Sequence, residues 1–420
     1  MKKLFLILSF LGLAFVVVGC KAERLDSDSP YGDSDFSPEG GMVSEKGDSV
    51  VDPDGDEHQG EKPQAGQLSA SEWSDLKNYN FWLGLFASGQ ESKEGLFAEH
   101  FNKGYFDALN MIEVVVKNNQ ENLSGIKVEL LSSGQKVIYT AVSNANGKAY
   151  LFPSNKELTA IKQISLNVNG EKVYYEYTYA KENNIVEYNI AKNNSKVNTI
   201  EIMFVIDTTG SMGDEISYLK AEIDYVIGSV KEAHQEAEIR LALLFYRDLS
   251  DDYVTRYFDF TTDIAKQKRN LAAQNADGGG DWEEAVEIAL DEAVDKNWSS
   301  DNTTKLLFHV LDAPPHFIPD VMNKYENAIR TASSKGIRMI PLASSGIDKY
   351  TEYLLRNEAM MTGGTYTFIT NDSGIGEEHI EATVGETVVE YLNIMLIRII
   401  NEYYTGVEQV KRPYYTYPEK

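Results

Sequence analysis

Asp207, Thr209 and Ser211 stand at alternate positions of one short run, Asp207-Thr-Thr209-Gly-Ser211-Met212, and all three side chains carry oxygen. Oxygen groups spaced by two residues on a glycine-containing turn can converge on one point. That is the donor set a hard cation such as Mg²⁺ or Ca²⁺ requires, with water or a partner completing the shell. The same residues do not read as a hydrolytic centre. Ser211 has no His/Asp relay beside it in the sequence. The six histidines, His58, His100, His234, His309, His316 and His379, form no close ligand pair of the H-E-x-x-H kind. The chemistry expected is binding, and no catalytic residue is assigned.

The elements around this run must bring its oxygens to a common edge. Residues 200–206 are a continuous apolar, β-branched stretch, as a buried parallel strand should be. Helical periodicity follows over 215–233. Strands are then expected at 240–246, 305–311, 337–342 and 365–369. Helices are expected at 282–295, 322–334, 349–361 and from about 381 to 404. Strands alternating with helices argue for an α/β fold with a doubly wound, mostly parallel sheet, in which ligands bind outside the carboxyl ends of the strands. The run 388–400 contains Glu390 and Arg398, so it is read as a packed helix and not as a membrane span.

On these residues, 198–406 resembles a von Willebrand factor A domain, and Asp207-Thr-Thr209-Gly-Ser211 resembles its metal-ion-dependent adhesion site, with Thr209 in place of the family's middle serine. The resemblance implies that Asp207, Thr209 and Ser211 are the first three ligand positions for Mg²⁺ or Ca²⁺. It implies a further ligand at Asp312, at the end of Lys305-Leu-Leu-Phe-His-Val-Leu311, where Pro314 and Pro315 fix the exit of the chain. His316 is read as a rim or structural residue. The family's threonine loop is replaced by Gly278-Gly-Gly280-Asp281-Trp-Glu-Glu284, and this loop with Tyr246-Arg-Asp248 looks like a subset of A domains that includes those attached to α-kinases. Asp281 would take the threonine's place. Asp281 followed three residues later by Glu284 also has the spacing of a helix capping box, so both roles stand open. If Asp281 is a ligand, three carboxylates outweigh the divalent ion by one unit, and a partner's carboxylate meets a less attractive site.

The rest of the chain reads as display. Residues 111–192 hold short strands at 112–116, 126–131, 137–142, 149–152, 164–168, 173–179 and 185–190, with Asn169-Gly170 as a two-residue hairpin signal. Together with Asn144-Ala-Asn-Gly147 they resemble carboxypeptidase-regulatory-like and immunoglobulin-like β-sandwiches. Before them, 67–110 is an aromatic, helical lead-in whose Trp73, Trp82 and Phe86 should cover a neighbouring domain. Residues 20–66 are acidic, poor in apolar side chains and rich in Gly, Pro and Ser, as a disordered tether is. Asp52, Asp54 and Asp56 mimic a calcium loop, but Pro63 holds the closing position and no EF-hand is assigned.

Residues 1–19 have a basic start and an apolar core, and Val17-Val18-Gly19-Cys20 resembles the lipobox of bacterial lipoproteins. The resemblance implies cleavage before Cys20, the chain's one cysteine, and its acylation. Lys21 in the next position looks like an outer-membrane destination, facing periplasm or cell surface. With 65 acidic against 39 basic residues and a net charge of −26, nucleic acid is excluded as a partner. The function expected is protein binding or adhesion at the metal face, on a lipid tether. The alternatives are an envelope assembly protein whose metal only stabilises the fold, and a metal-assisted hydrolase. Residues 407–420 are read as a C-terminal tail.

Overall fold

The computed structural model describes residues 63–87, 95–181, 184–193, 197–213, 215–300, 303–375 and 379–416. The segment read as a signal peptide, Cys20, the Asp52-Asp54-Asp56 run and the part of the expected tether up to residue 62 lie outside the described residues. Residues 61–420 form one compact unit.

The chain enters through β1 (Ser69–Trp73) and two short helices, α1 (Tyr79–Gly84) and α2 (Ala98–Asn102). Eight strands follow: β2 (Ile112–Asn118), β3 (Glu121–Asn122), β4 (Lys127–Ser132), β5 (Val137–Val142), β6 (Lys148–Leu151), β7 (Ile161–Val168), β8 (Glu171–Glu176) and β9 (Ile185–Asn189). They make two four-stranded sheets. In one, β2 pairs with β3, β6 and, in parallel, β9; the other is antiparallel in the order β5-β4-β7-β8. Asn169 and Gly170 turn β7 into β8 with both φ angles positive, 54° and 90°, as a two-residue hairpin turn demands.

The second half begins with β10 (Thr199–Asp207), α3 (Ile216–Ala233), β11 (Glu238–Tyr246), β12 (Thr255–Thr261) and α4 (Ile264–Ala272). It continues through α5 (Val286–Asp295), β13 (Thr303–Leu311), α6 (Pro319–Lys335), β14 (Ile337–Ala343) and α7 (Lys349–Thr362). It closes with β15 (Tyr366–Ile369), β16 (Glu390–Tyr391) and α8 (Leu392–Thr405). These strands and β1 form an eight-stranded sheet in the order β12-β11-β10-β13-β14-β15-β1-β16, parallel from β11 to β15. The doubly wound α/β fold is the one the alternating pattern implies. Because β10 is central, its two faces feed two cores: Ile200, Ile202, Phe204 and Ile206 pack in one apolar cluster, Met203 and Val205 in the other. Each such side chain contributes roughly 1.5–3 kcal/mol when fully buried.

Four expectations need correction. Ser69–Trp73, placed in a helical lead-in, is a buried strand paired antiparallel with β15 and β16. Strand β12 and helix α4 were not foreseen; the strand is a half-exposed edge without a clear apolar run. The helix expected at 282 begins at Val286, with Ala285 as N-cap and no side-chain cap bond, so Asp281 does not cap it. The last helix begins at Leu392 instead of 381, after the short strand β16.

Candidate metal centre

Strands β10 and β13 are neighbours, yet the chain leaves β10 for β11 on its other side, so the winding direction switches between them. Asp207 ends β10 and Asp312 directly follows β13, which puts both carboxylates at the carboxyl edge beside the switch point. Both are buried. One oxygen of Asp207 accepts from the Thr209 backbone N–H at 2.8 Å and from the Thr209 hydroxyl at 2.7 Å. Thr209 Oγ1 lies 3.2 Å from Ser211 Oγ, so the three oxygens converge as their spacing implies. The second oxygen of Asp207, Oδ2, is buried and has no hydrogen-bond partner. Burial, reinforced by the charge of Asp312, pushes the Asp207 carboxyl up to about 7.

The loop after α4 closes over this turn. Gly210 N–H donates to Gly278 O at 3.2 Å, and Asp277 N–H donates to Thr208 O at 3.0 Å. Gly278 sits at φ +81°, and a Cβ there would stand 2.2 Å from Asp251 Oδ1, so no larger residue fits. Asp251 in turn accepts from Gly279 N–H at 3.0 Å and from Asp248 N–H at 3.0 Å. Arg247 ties the same loops by donating to Thr208 O and Asn275 O, both at 3.1 Å.

Asp281 has a largely exposed side chain and lies beside His316, with Asp281 Oδ2 3.5 Å from His316 Nε2. The residue the sequence reading passed over is Glu284, seen there only as a possible capping partner. It is 2% exposed, makes an isolated parallel bridge with Pro315, and its N–H donates to Pro314 O at 2.9 Å. That bridge turns it toward Asp207 and Asp312. Burial first, then the charges of Asp207, Asp248 and Asp312, push its carboxyl up to about 9. Its Oε2 is buried without a hydrogen-bond partner. No local signal marks this role, because the bridge to Pro315 is non-local. Buried carboxylates that repel one another need either protons or a cation, and the hydroxyls of Thr209 and Ser211 complete an oxygen-only donor set. The residues present fit a hard divalent ion.

Glu215 braces the site from below. Its buried carboxylate accepts from Ser345 N–H at 3.1 Å and meets His379 Nε2 at 3.0 Å, joining the loops that follow β10, β14 and β15.

A doubly wound sheet with an acid- and hydroxyl-lined loop cluster at its switch point defines the class. Within it, residues 201–374 match the family model described as von Willebrand factor A domain, and that segment is such a domain. Domains of this family commonly bind divalent metals. Among curated proteins, the chain is 24% identical over 221 residues to a putative ariadne-like RING finger protein of Acanthamoeba polyphaga mimivirus, covering 50% of this chain and 21% of that protein. It is 25% identical over 189 residues to an alpha-protein kinase of Dictyostelium discoideum, covering 44% of this chain and 29% of the kinase. The chain thus spans less than a third of either relative. The solved structures that match include the conserved hypothetical protein BatB of Bacteroides thetaiotaomicron and an aerotolerance-related membrane protein of Bacteroides fragilis. The first has a TM-score of 0.31 and 13% identity and covers 41% of this chain and 93% of its own. The second has a TM-score of 0.33 and 14% identity and covers 50% and 100%. Among the described residues no helix is long and apolar enough to cross a membrane.

Proposed function

We propose that this protein is a lipid-anchored protein of the bacterial outer membrane whose von Willebrand factor A domain binds a protein partner through a divalent cation, Mg²⁺ or Ca²⁺. The reading rests on one observation above all. Asp207 and Glu284 each keep a buried oxygen without a hydrogen-bond partner, and Asp312 lies within electrostatic reach of both. Asp207, Thr209, Ser211 and Asp312 would hold the ion, and Glu284, in preference to Asp281, would fill the fourth place. The ion would supply an electrophilic point for a partner's oxygen and order the loops around it.

Charge sets the partner's chemistry. Three carboxylates around a divalent ion leave the centre one unit negative, so a neutral carbonyl or hydroxyl oxygen is favoured over a carboxylate. The protein acts by binding and is not an enzyme in this reading. Cys20 carries the lipid, and the acidic tether spaces the folded part from the membrane.

The test compares wild type with Asp207→Ala, each with Mg²⁺ or EDTA, reading metal affinity by calorimetry and captured envelope proteins by mass spectrometry. Capture that depends on metal and on Asp207 supports the reading. Capture indifferent to both, with Mg²⁺ changing only the melting temperature, would leave the metal a purely structural role. Labelling with radioactive palmitate that persists in Cys20→Ser would overturn the anchor.

A further inference from the structure

Beside the centre just described, three loops bring a different donor set together. Asp248 follows β11, Asp281 precedes α5 and His316 lies between β13 and α6. One ligand atom from each falls within 4.8 Å of the other two. The geometry points to a second cation site here, held by Asp248, Asp281 and His316, that takes a borderline divalent ion of the Zn²⁺ class.

The donor chemistry separates the two sites. The first offers only oxygen, which suits Mg²⁺ or Ca²⁺; the second offers an imidazole nitrogen with two carboxylates, which suits Zn²⁺ and its neighbours. Tetrahedral ligands about 2.0–2.2 Å from a zinc ion stand roughly 3.3–3.6 Å apart. His316 Nε2 and Asp281 Oδ2 are already 3.5 Å apart. Asp281 is the member whose exposed side chain can close the remaining gap, since 60% of it is accessible.

Two further observations point to a ligand. Asp248 is only 6% exposed, and its Oδ1 is buried without a hydrogen-bond partner, an arrangement that costs free energy unless something binds there. Glu287, on the first turn of α5, is 5% exposed with Oε2 likewise unpartnered. It lies within electrostatic reach of both His316 and Asp248. A cation among these groups would satisfy the stranded carboxylate oxygens and tie the loop after β11 to the two loops that the Glu284–Pro315 bridge already joins.

The site stands independently of the proposed function, because it uses none of Asp207, Thr209, Ser211 or Asp312. Each ligand is also followed by an exposed apolar side chain, Leu249, Trp282 or Phe317. Clipping the loops would therefore fix these three side chains relative to one another.

The test is calorimetric titration of the full chain with Zn²⁺ in excess Mg²⁺, with the melting curve of each variant as a folding control. Wild type should bind one Zn²⁺ equivalent. His316→Ala and Asp281→Asn, both on accessible side chains, should each weaken it tenfold or more while melting like wild type. Asp207→Asn should keep the Zn²⁺ event and lose the Mg²⁺ one. Zn²⁺ affinity within twofold of wild type in both His316→Ala and Asp281→Asn would overturn the site. So would loss of the Zn²⁺ event in Asp207→Asn alone, which would mean that zinc merely enters the first centre. Failure of the proposed function would show instead as an absent Mg²⁺ event in wild type.

Discussion

Glu284 decides how the proposed first centre behaves when no ion is bound. Burial and the neighbouring carboxylates hold it protonated at neutral pH, so glutamine closely imitates the metal-free side chain. Glu284→Gln should leave stability in EDTA within about 0.5 kcal/mol of wild type. Mg²⁺ at a hundred times its Kd should stabilise wild type by about 2.7 kcal/mol, and that increment should vanish in the variant. Calorimetric melts with and without Mg²⁺ read both numbers. A full Mg²⁺ increment in Glu284→Gln would remove this residue from the site. The sequence made the rest of the centre legible because Asp207, Thr209 and Ser211 are local, and Asp312 ends a strand whose apolar run is unmistakable. Glu284 was hidden because its placement depends on a bridge to Pro315, about thirty residues further on. Asp281 and Glu284 matched a capping spacing only by coincidence: the helix starts later, at Val286.

At the scale of elements, the least legible feature is β1, a strand drawn into the main sheet from before the two small sheets. Its five residues carry little periodicity, and long-range partners determine their state. One partner is a buried ion pair just beyond the strand. Arg356 on α7 donates to both oxygens of Asp75, at 2.9 and 2.6 Å, while Trp82 and Phe97 pack around the guanidinium. Asp75→Asn removes the closer of two carboxylates on this buried guanidinium, leaving Glu352 at 3.5 Å, and should cost up to about 3–5 kcal/mol, read as a lower denaturation midpoint. Asp75→Leu combined with Arg356→Met should recover much of the loss.

Glu72 within β1 gives a pH signature. Burial would raise its pKa, but Lys411 and Arg398 outweigh burial and hold it below the usual value of 4.5. A depressed carboxyl stabilises the fold above its unfolded pKa and loses that contribution as pH falls through the folded one. Glu72→Gln should flatten the fall of melting temperature below about pH 4.5. An unchanged acid limb would contradict this.

Across the whole molecule, the sequence read as modules in a row, and each fold type was legible from its period: two for the small sheets, alternating strand and helix for the second half. The joints between them were not legible, because they are made by single polar contacts far apart in the chain. Residues 66–68 donate three backbone N–H groups to the buried Glu222 carboxylate on α3. Tyr139 of β5 donates to Met361 O at 2.9 Å, and Ser333 of α6 to Thr140 O at 3.1 Å. Arg412 and Tyr414, beyond the last helix, donate their N–H groups to Glu390 and Val389. The first of these contacts makes the A domain depend on chain that precedes it by more than a hundred residues. Residues 63–416 should therefore melt in one cooperative transition. A fragment of 197–416 lacks β1, which exposes the edges of β15 and β16, and it removes the backbone N–H groups of residues 66–68 from Glu222 and the Asp75 carboxylate from Arg356. Unpaired edges invite association, and buried charges that lose part of their compensation destabilise the core, so this fragment should aggregate or lose its near-ultraviolet dichroism. A fragment of 197–416 that stays monomeric and melts within a few degrees of the longer chain would mean that β1 covers the sheet without holding it together.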